Sequence, residues 1–137
     1  MNHGENAKEK FSCGYNCAQA VICSHAKELG IDENIAYRLA EGFGAGMGTK
    51  DVCGAVSGMI MVAGMYSDAD LERVGKTKLD TYETVRELTK GFKTKYGTLK
   101  CGKLLDERAK EDPAYKKQLC SGYIAYACEL LDALKQK

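Results

Sequence analysis

Cys17, Cys53, Cys101 and Cys120 are the residues of this chain best suited to chemistry, because three of them stand where the local sequence predicts that a helix begins. A helix N-terminus offers free N–H groups and the positive end of the helix dipole, which favour the thiolate, the form that ligates metals and attacks disulfides. The four lie 36, 48 and 19 positions apart, so a common site has to be assembled from separate segments by a folded core. No Cys-x-x-Cys pair occurs, and neither a thioredoxin-like dithiol nor a zinc knuckle is written locally.

The elements that would position these thiols read as helices. There is a single proline, Pro113, and apolar residues recur at spacings of three and four almost throughout, which predicts an all-α, single-domain helical bundle over 1–137, with about five to seven helices around a buried central helix (52–66). A short helix is expected over about 6–13. Asn16 then caps a second helix, with Cys17 in its first turn and Gly30 as its stop. Asp32 caps a third, with Ile35, Leu39 and Phe43 on one stripe. Four alternating glycines at Gly42, Gly44, Gly46 and Gly48 cannot sustain a helix, so this stretch is expected to be a loop of bare backbone. Asp51 is predicted to cap the central helix, which would put Cys53 in its first turn; Gly54 and Gly58 would let a neighbouring helix or a cofactor approach its backbone closely. A long amphipathic helix after the 67–70 segment should turn Leu79, Tyr82, Val85, Phe92 and Tyr96 inward. Cys101 opens a short helix, and Asp112 with Pro113 opens the last helical region. The sequence leaves open whether Cys120 starts a new helix or lies inside a continuous one.

Composition bounds the function. With 137 residues, the chain is long enough to bury a core without covalent bridges. Seven cysteines are an odd number, below the density of a secreted disulfide scaffold, and Met1 to Lys10 lacks a signal-peptide core; the expectation is a reducing cytoplasm. The longest apolar stretch is too short and too interrupted by glycine to span a bilayer, so no membrane partner is expected. Net charge is +1, which gives no reason to expect a nucleic acid partner. The lysines at 90, 93, 95, 100 and 103 read as a solvated helix end.

Each thiol has its own setting. Cys17 and Cys53 in first turns, and Cys101 beside Lys100 and Lys103, are expected to have lowered pKa values. Gly44 and Gly46 could offer N–H donors to thiolate or sulfide. Cys23 and Cys128, among apolar helix residues, read as small core side chains; Cys13, four residues before Cys17, could face the same site as a resolving thiol or extra ligand. His25 reads as a packed histidine, with a ligand or base role as the alternative, and His3 as part of a mobile terminus. Ser57 has no evident partners for nucleophilic catalysis.

The string Cys53-Gly54-Ala55-Val56-Ser57-Gly58 resembles the signature of the C-GCAxxG-C-C family, described as redox-active. The likeness includes Gly14-Tyr15-Asn16-Cys17-Ala18-Gln19-Ala20-Val21, Phe43-Gly44-Ala45-Gly46-Met47, Cys101 ahead of Leu104-Leu105, and Cys120 before the closing helix. The resemblance implies a small helical redox protein whose four characteristic cysteines are Cys17, Cys53, Cys101 and Cys120. In similar domains cysteines hold an iron–sulfur cluster; covalent haem is not expected here, since no Cys-x-x-Cys-His is present. In that family a proline often follows the last cysteine, where this chain has Ser121.

Two versions of redox chemistry follow. In one, the four thiolates ligate an iron–sulfur cluster with Gly44, Gly46 and Gly54 close by, and electrons pass to a partner protein. In the other, a low-pKa cysteine such as Cys53 attacks a disulfide and another resolves, with a protein or small thiol as partner. The alternative is a non-redox helical binding module with a structural zinc–cysteine site, and self-association is open in either case. The sequence leaves enzyme activity undecided.

Overall fold

The computed structural model describes residues 2–135, and within them the chain forms eight α-helices and short helical turns without a sheet: α1 (His3–Ser12), α2 (Cys17–Leu29), α3 (Glu33–Ala40), α4 (Gly54–Met65), α5 (Lys78–Tyr96), α6 (Cys101–Leu104), α7 (Glu107–Glu111) and α8 (Pro113–Lys135). The all-α bundle around a buried α4 agrees with the sequence reading. The helix beyond the expected range is α7, begun by the Asp106 carboxylate, which accepts from the Ala109 N–H.

Helix α4 packs on α2, α5 and α8. It has no polar face, and Val56, Met59 and Val62 are fully buried, each gaining roughly 1.5–3 kcal/mol from leaving water. A Cβ at Gly58 would come within 2.8 Å of the Ala18 carbonyl oxygen and the Val21 Cβ. Its hydrogen is what allows α2 and α4 to touch backbone to side chain. On the other flank, Phe92 of α5 is fully buried and stacks its edge and face among Tyr96, Tyr123 and Tyr126, with centroids 4.9 to 6.3 Å away, which joins α5 to α8.

Several local expectations shift. The first helix starts at His3, because Asn2 caps it by accepting from the Glu5 N–H at 2.8 Å. The N-cap of α4 is Cys53, not Asp51, so the central helix is shorter than 52–66 at both ends. Residues Ile35 and Leu39 are 57% and 70% exposed, and α3 buries Ala36 and Ala40 instead. On α5, Leu79 and Tyr82 lie outside the core, and Leu88 and Phe92 carry the contact. The helix itself begins only at Lys78, after an irregular 67–77 connection, so its N-terminal half projects past the core. Cys120 lies inside the continuous α8.

Candidate functional site

Four separate structural devices bring the cysteines of α2, α4, α6 and α8 to one end of the bundle. The first fixes Cys17. Asn16 and Gln19 form a reciprocal cap, each side chain accepting from the other's N–H at 2.8 and 2.9 Å. Their amide groups reach onward, Asn16 Nδ2 to the Glu41 carbonyl and Gln19 Nε2 to the Tyr37 carbonyl, both at 2.9 Å. The start of α2 is thereby tied to α3 and the glycine loop. A Cβ at Gly44 would fall 2.5 Å from the Asn16 amide nitrogen, so this glycine is fitted to the brace.

The second device pairs Cys53 with Cys101. Val52 and Lys100 form an isolated antiparallel bridge; the Cys53 N–H donates to the Leu99 carbonyl at 2.8 Å, and the Cys101 N–H donates to the Asp51 carbonyl at 2.6 Å. The two cysteines therefore leave one short clasp, and each leads into its own helix.

The third device is the glycine loop. Residues 45–48 all have positive φ, at 53°, 61°, 61° and 71°, and Lys50 follows at 65°. A left-handed stretch of this kind costs about 1–2 kcal/mol at each non-glycine position, and Ala45, Met47 and Lys50 all bear that cost. It folds the loop under Cys101. A Cβ at Gly46 would lie 2.6 Å from the Asp51 nitrogen and 2.8 Å from the Cys101 Cβ, and one at Gly54 3.0 Å from the Cys17 Cβ. These glycines pack the chain onto the cysteines themselves, and their Cβ positions are filled by protein atoms.

The fourth device is Tyr123, whose hydroxyl donates to the Leu104 carbonyl at 2.7 Å and so holds α6 against α8 beside Cys120.

The four thiols lie near enough to influence one another: Cys17 responds to Cys120, Cys53 and Cys101, Cys53 to Cys101 and Cys120, Cys101 to Cys120, and Cys120 to Cys17. Cys23 and Cys128 respond instead to Glu33 and Asp132 respectively, as buried core side chains. Cys13 is exposed and lines a separate cavity with Tyr15, Glu33 and Tyr37. Among the described residues no three of the cysteine sulfurs gather within 4.8 Å of one another; a single tetrahedral zinc needs sulfurs about 3.8 Å apart.

Protonation departs from the helix-start expectation. A hydrogen bond shared with Cys120, followed by burial, pushes the Cys17 thiol well up. Burial pushes Cys53 up to about 11, against the pull of the Ala55 and Val56 N–H groups that face it. Burial also raises Cys101, where the opposing cations are Lys50 and Lys116; Lys100 and Lys103 are not the lysines that act. Cys120 alone is lowered, to about 7, first by the Cys17 hydrogen bond and then by Lys116 and Lys50. The expected attacking thiol, Cys53, is the sealed one, because desolvation outweighs a helix dipole when the residue is only 4% exposed. A cavity of about 320 Å³ lined by Phe11, Asn16, Cys17, Ala45, Lys116 and Cys120, among others, opens onto the Cys17–Cys120 pair.

Sequence reasoning missed Gln19, Lys50 and Lys116. The Asn16-x-x-Gln19 spacing is a capping-box signal and could have revealed the first; Lys116, one helical turn before Cys120, becomes visible once α8 is known to be continuous.

A model of the family described as "Putative redox-active protein (C_GCAxxG_C_C)" matches residues 15–134, and the chain belongs to that family. No curated protein and no solved structure matches it. Among the described residues no helix is long and apolar enough to cross a membrane.

Proposed function

We propose that Cys17, Cys53, Cys101 and Cys120 together hold an iron–sulfur cluster, and that the protein passes electrons to a separate redox partner. One observation carries this reading: a hydrogen bond joins Cys17 to Cys120, the Val52–Lys100 clasp joins Cys53 to Cys101, and Gly54 packs the start of α4 against the Cys17 Cβ, while the three remaining cysteines stay outside the set. A dithiol needs two sulfurs. Four held at one end of the bundle is the donor set that iron–sulfur clusters use. When bound, such a cluster would supply one-electron transfer. The chain contributes the rest: the 51–53 and 99–101 clasp orients Cys53 and Cys101, the Asn16–Gln19 cap orients Cys17, and the strained loop keeps the backbone close to the sulfurs. Lys50 and Lys116 offset the negative charge that four thiolates bring.

The test is anoxic purification followed by iron, acid-labile sulfide and visible absorption measurements. Iron and sulfide with charge-transfer bands that bleach on reduction, all lost when the four cysteines are changed to serine, support the reading. Colourless protein free of iron and sulfide overturns it, and zinc in their place would favour the non-redox module.

A second reading is favoured by the Cys17–Cys120 pair at the cavity. The Cys120 thiolate attacks a disulfide of the oxidised partner and expels one of its thiolates. Cys17, deprotonated in turn, attacks the Cys120 sulfur of the mixed disulfide, releasing the reduced partner and leaving a Cys17–Cys120 disulfide. Two electrons have then moved to the partner. A small thiol or a reducing protein restores the pair.

A further inference from the structure

The three helices that carry Cys17, Cys53 and Cys120 run on to a second polar cluster. His25 lies eight residues beyond Cys17 on α2, about 12 Å along the helix, and Asp132 twelve residues beyond Cys120 on α8, about 18 Å along it. His3, from the first turn of α1, lies over His25, with ring centroids 4.1 Å apart and planes inclined by 18°. Ligand atoms of His3, His25 and Asp132 all fall within 4.8 Å of one another.

His25 is fully buried. Its Nδ1 is 2.8 Å from the Val21 carbonyl oxygen, a contact that requires the proton on Nδ1 and leaves Nε2 as a bare lone pair. That Nε2 is buried with no hydrogen-bond partner among the described residues, and so is the hydroxyl of Tyr66, whose ionisation feels the Asp132 charge. Buried polar atoms of this kind call for an explanation. His3 has its Nδ1 2.7 Å from an Asp132 oxygen and its Nε2 2.6 Å from Glu28; Glu28 is also paired with Lys135. An imidazole that donates one N–H to a carbonyl or carboxylate and offers its other nitrogen is the usual metal-binding arrangement. Val21 and Glu28 supply that outer contact for the two rings.

We propose that His25 Nε2, His3 Nδ1 and an Asp132 carboxylate oxygen form a binding site for a divalent cation of the zinc type, separate from the cysteines. The ion takes the place of the proton shared by His3 and Asp132. His3, partly exposed and held at Nε2 by Glu28, is the ligand that has to shift on that contact to close the set to the ~2.0–2.1 Å that zinc–imidazole bonds need. Burial favours the uncharged, ligating form of His25. Two nitrogens and one carboxylate oxygen suit zinc, cobalt or nickel better than magnesium or calcium.

The probes are Zn²⁺ and Co²⁺ alone, added to the chain with Cys17, Cys53, Cys101 and Cys120 all changed to serine and its fold checked by circular dichroism. One ion per chain, a Co²⁺ spectrum without thiolate charge transfer, and binding weakened more than tenfold by His25→Gln or Asp132→Asn are expected; Glu28→Gln should weaken it about 10–100-fold. If the serine variant does not fold, the histidine ¹H–¹⁵N spectrum of the unaltered chain on Zn²⁺ addition gives the same answer, since His25 Nε2 and His3 Nδ1 must shift together. A folded protein that binds no ion, binding indifferent to His25→Gln, or histidine signals unmoved by Zn²⁺ would overturn the proposal.

Discussion

At one end of α2, α4 and α8, four thiols from four helices meet beneath a strained glycine loop; at the other, two imidazoles and two carboxylates gather around plain helix surface and the first turn of α1. Burial acts on both, and the sign of its effect depends on the group. It keeps Cys53 and Cys101 protonated, adds to the Cys120 hydrogen bond that does the same for Cys17, and keeps His25 uncharged, so it holds thiols away from their reactive form and an imidazole in its ligating one. The cysteine end therefore needs positive partners, which Lys50 and Lys116 provide. The histidine end needs none.

The comparison can be broken most severely from beneath the cysteine end. Phe92→Ala removes the ring between α5 and α8 and should cost about 3–5 kcal/mol in urea unfolding, freeing Tyr123 and with it the hold on α6. Thiol labelling of the folded fraction should then speed up at Cys53 and Cys101, while the His3 and His25 signals stay in place. Next, Gly58→Val drives a side chain into Ala18 and Val21 midway between the two ends. A loss of about 1–3 kcal/mol is expected, and both ends should respond.

A finer test concerns charge. Because Cys120 is held at about 7, its alkylation in metal-free protein should rise with pH and reach half its maximum near neutrality, ahead of the other buried thiols. Cys17→Ala removes the hydrogen bond and should move that midpoint upward, cutting the thiolate at pH 7 from about half to about a tenth or less if the ordinary thiol range returns; Lys116→Gln should do the same to a smaller degree. A midpoint unmoved by Cys17→Ala would show that the pair does not share a proton.

The smallest effect is acid-linked. Glu33 accepts from the Tyr15 hydroxyl at 2.6 Å and from Lys10 at 3.0 Å, which holds its carboxyl below the usual range, the Tyr15 contact first. The stability this gives is complete above the unfolded glutamate range, near pH ~4.3, and is lost as pH falls through Glu33's lower folded value. The carboxylate is largely exposed, so Tyr15→Phe should cost under about 1 kcal/mol at pH 7 and flatten the acid limb of the stability profile. Neither end should change its chemistry.

Much of the frame was legible in the sequence because caps and stops are local: Asn16, Gly30, Asp32 and Pro113 act where their types predict. The family signature singles out four cysteines; Cys17 and Cys101 open helices as expected, and Cys53 caps one instead of lying in its first turn. What escaped was non-local. The bridge between Val52 and Lys100 moves the helix start from Asp51 to Cys53, and no periodicity encodes a single pairing across 48 positions. The exposure of Ile35, Leu39 and Leu79 depends on where α3 and α5 outrun the core, which an apolar stripe does not reveal. His3 looks from the sequence like part of a loose terminus, yet Asn2 caps α1 and lays it on His25. Thiol acidity follows the burial that the packed bundle imposes, which a helix start does not reveal.

The account rests on the four sulfurs acting as one centre, and thiol footprinting by mass spectrometry tests that most directly. In anoxically purified protein, Cys17, Cys53, Cys101 and Cys120 should be protected together, and an iron chelator added to the folded chain should end that protection, Cys120 reacting first and the sealed Cys53 last, with Cys13 labelled throughout. Labelling of the four that is indifferent to the chelator would contradict it.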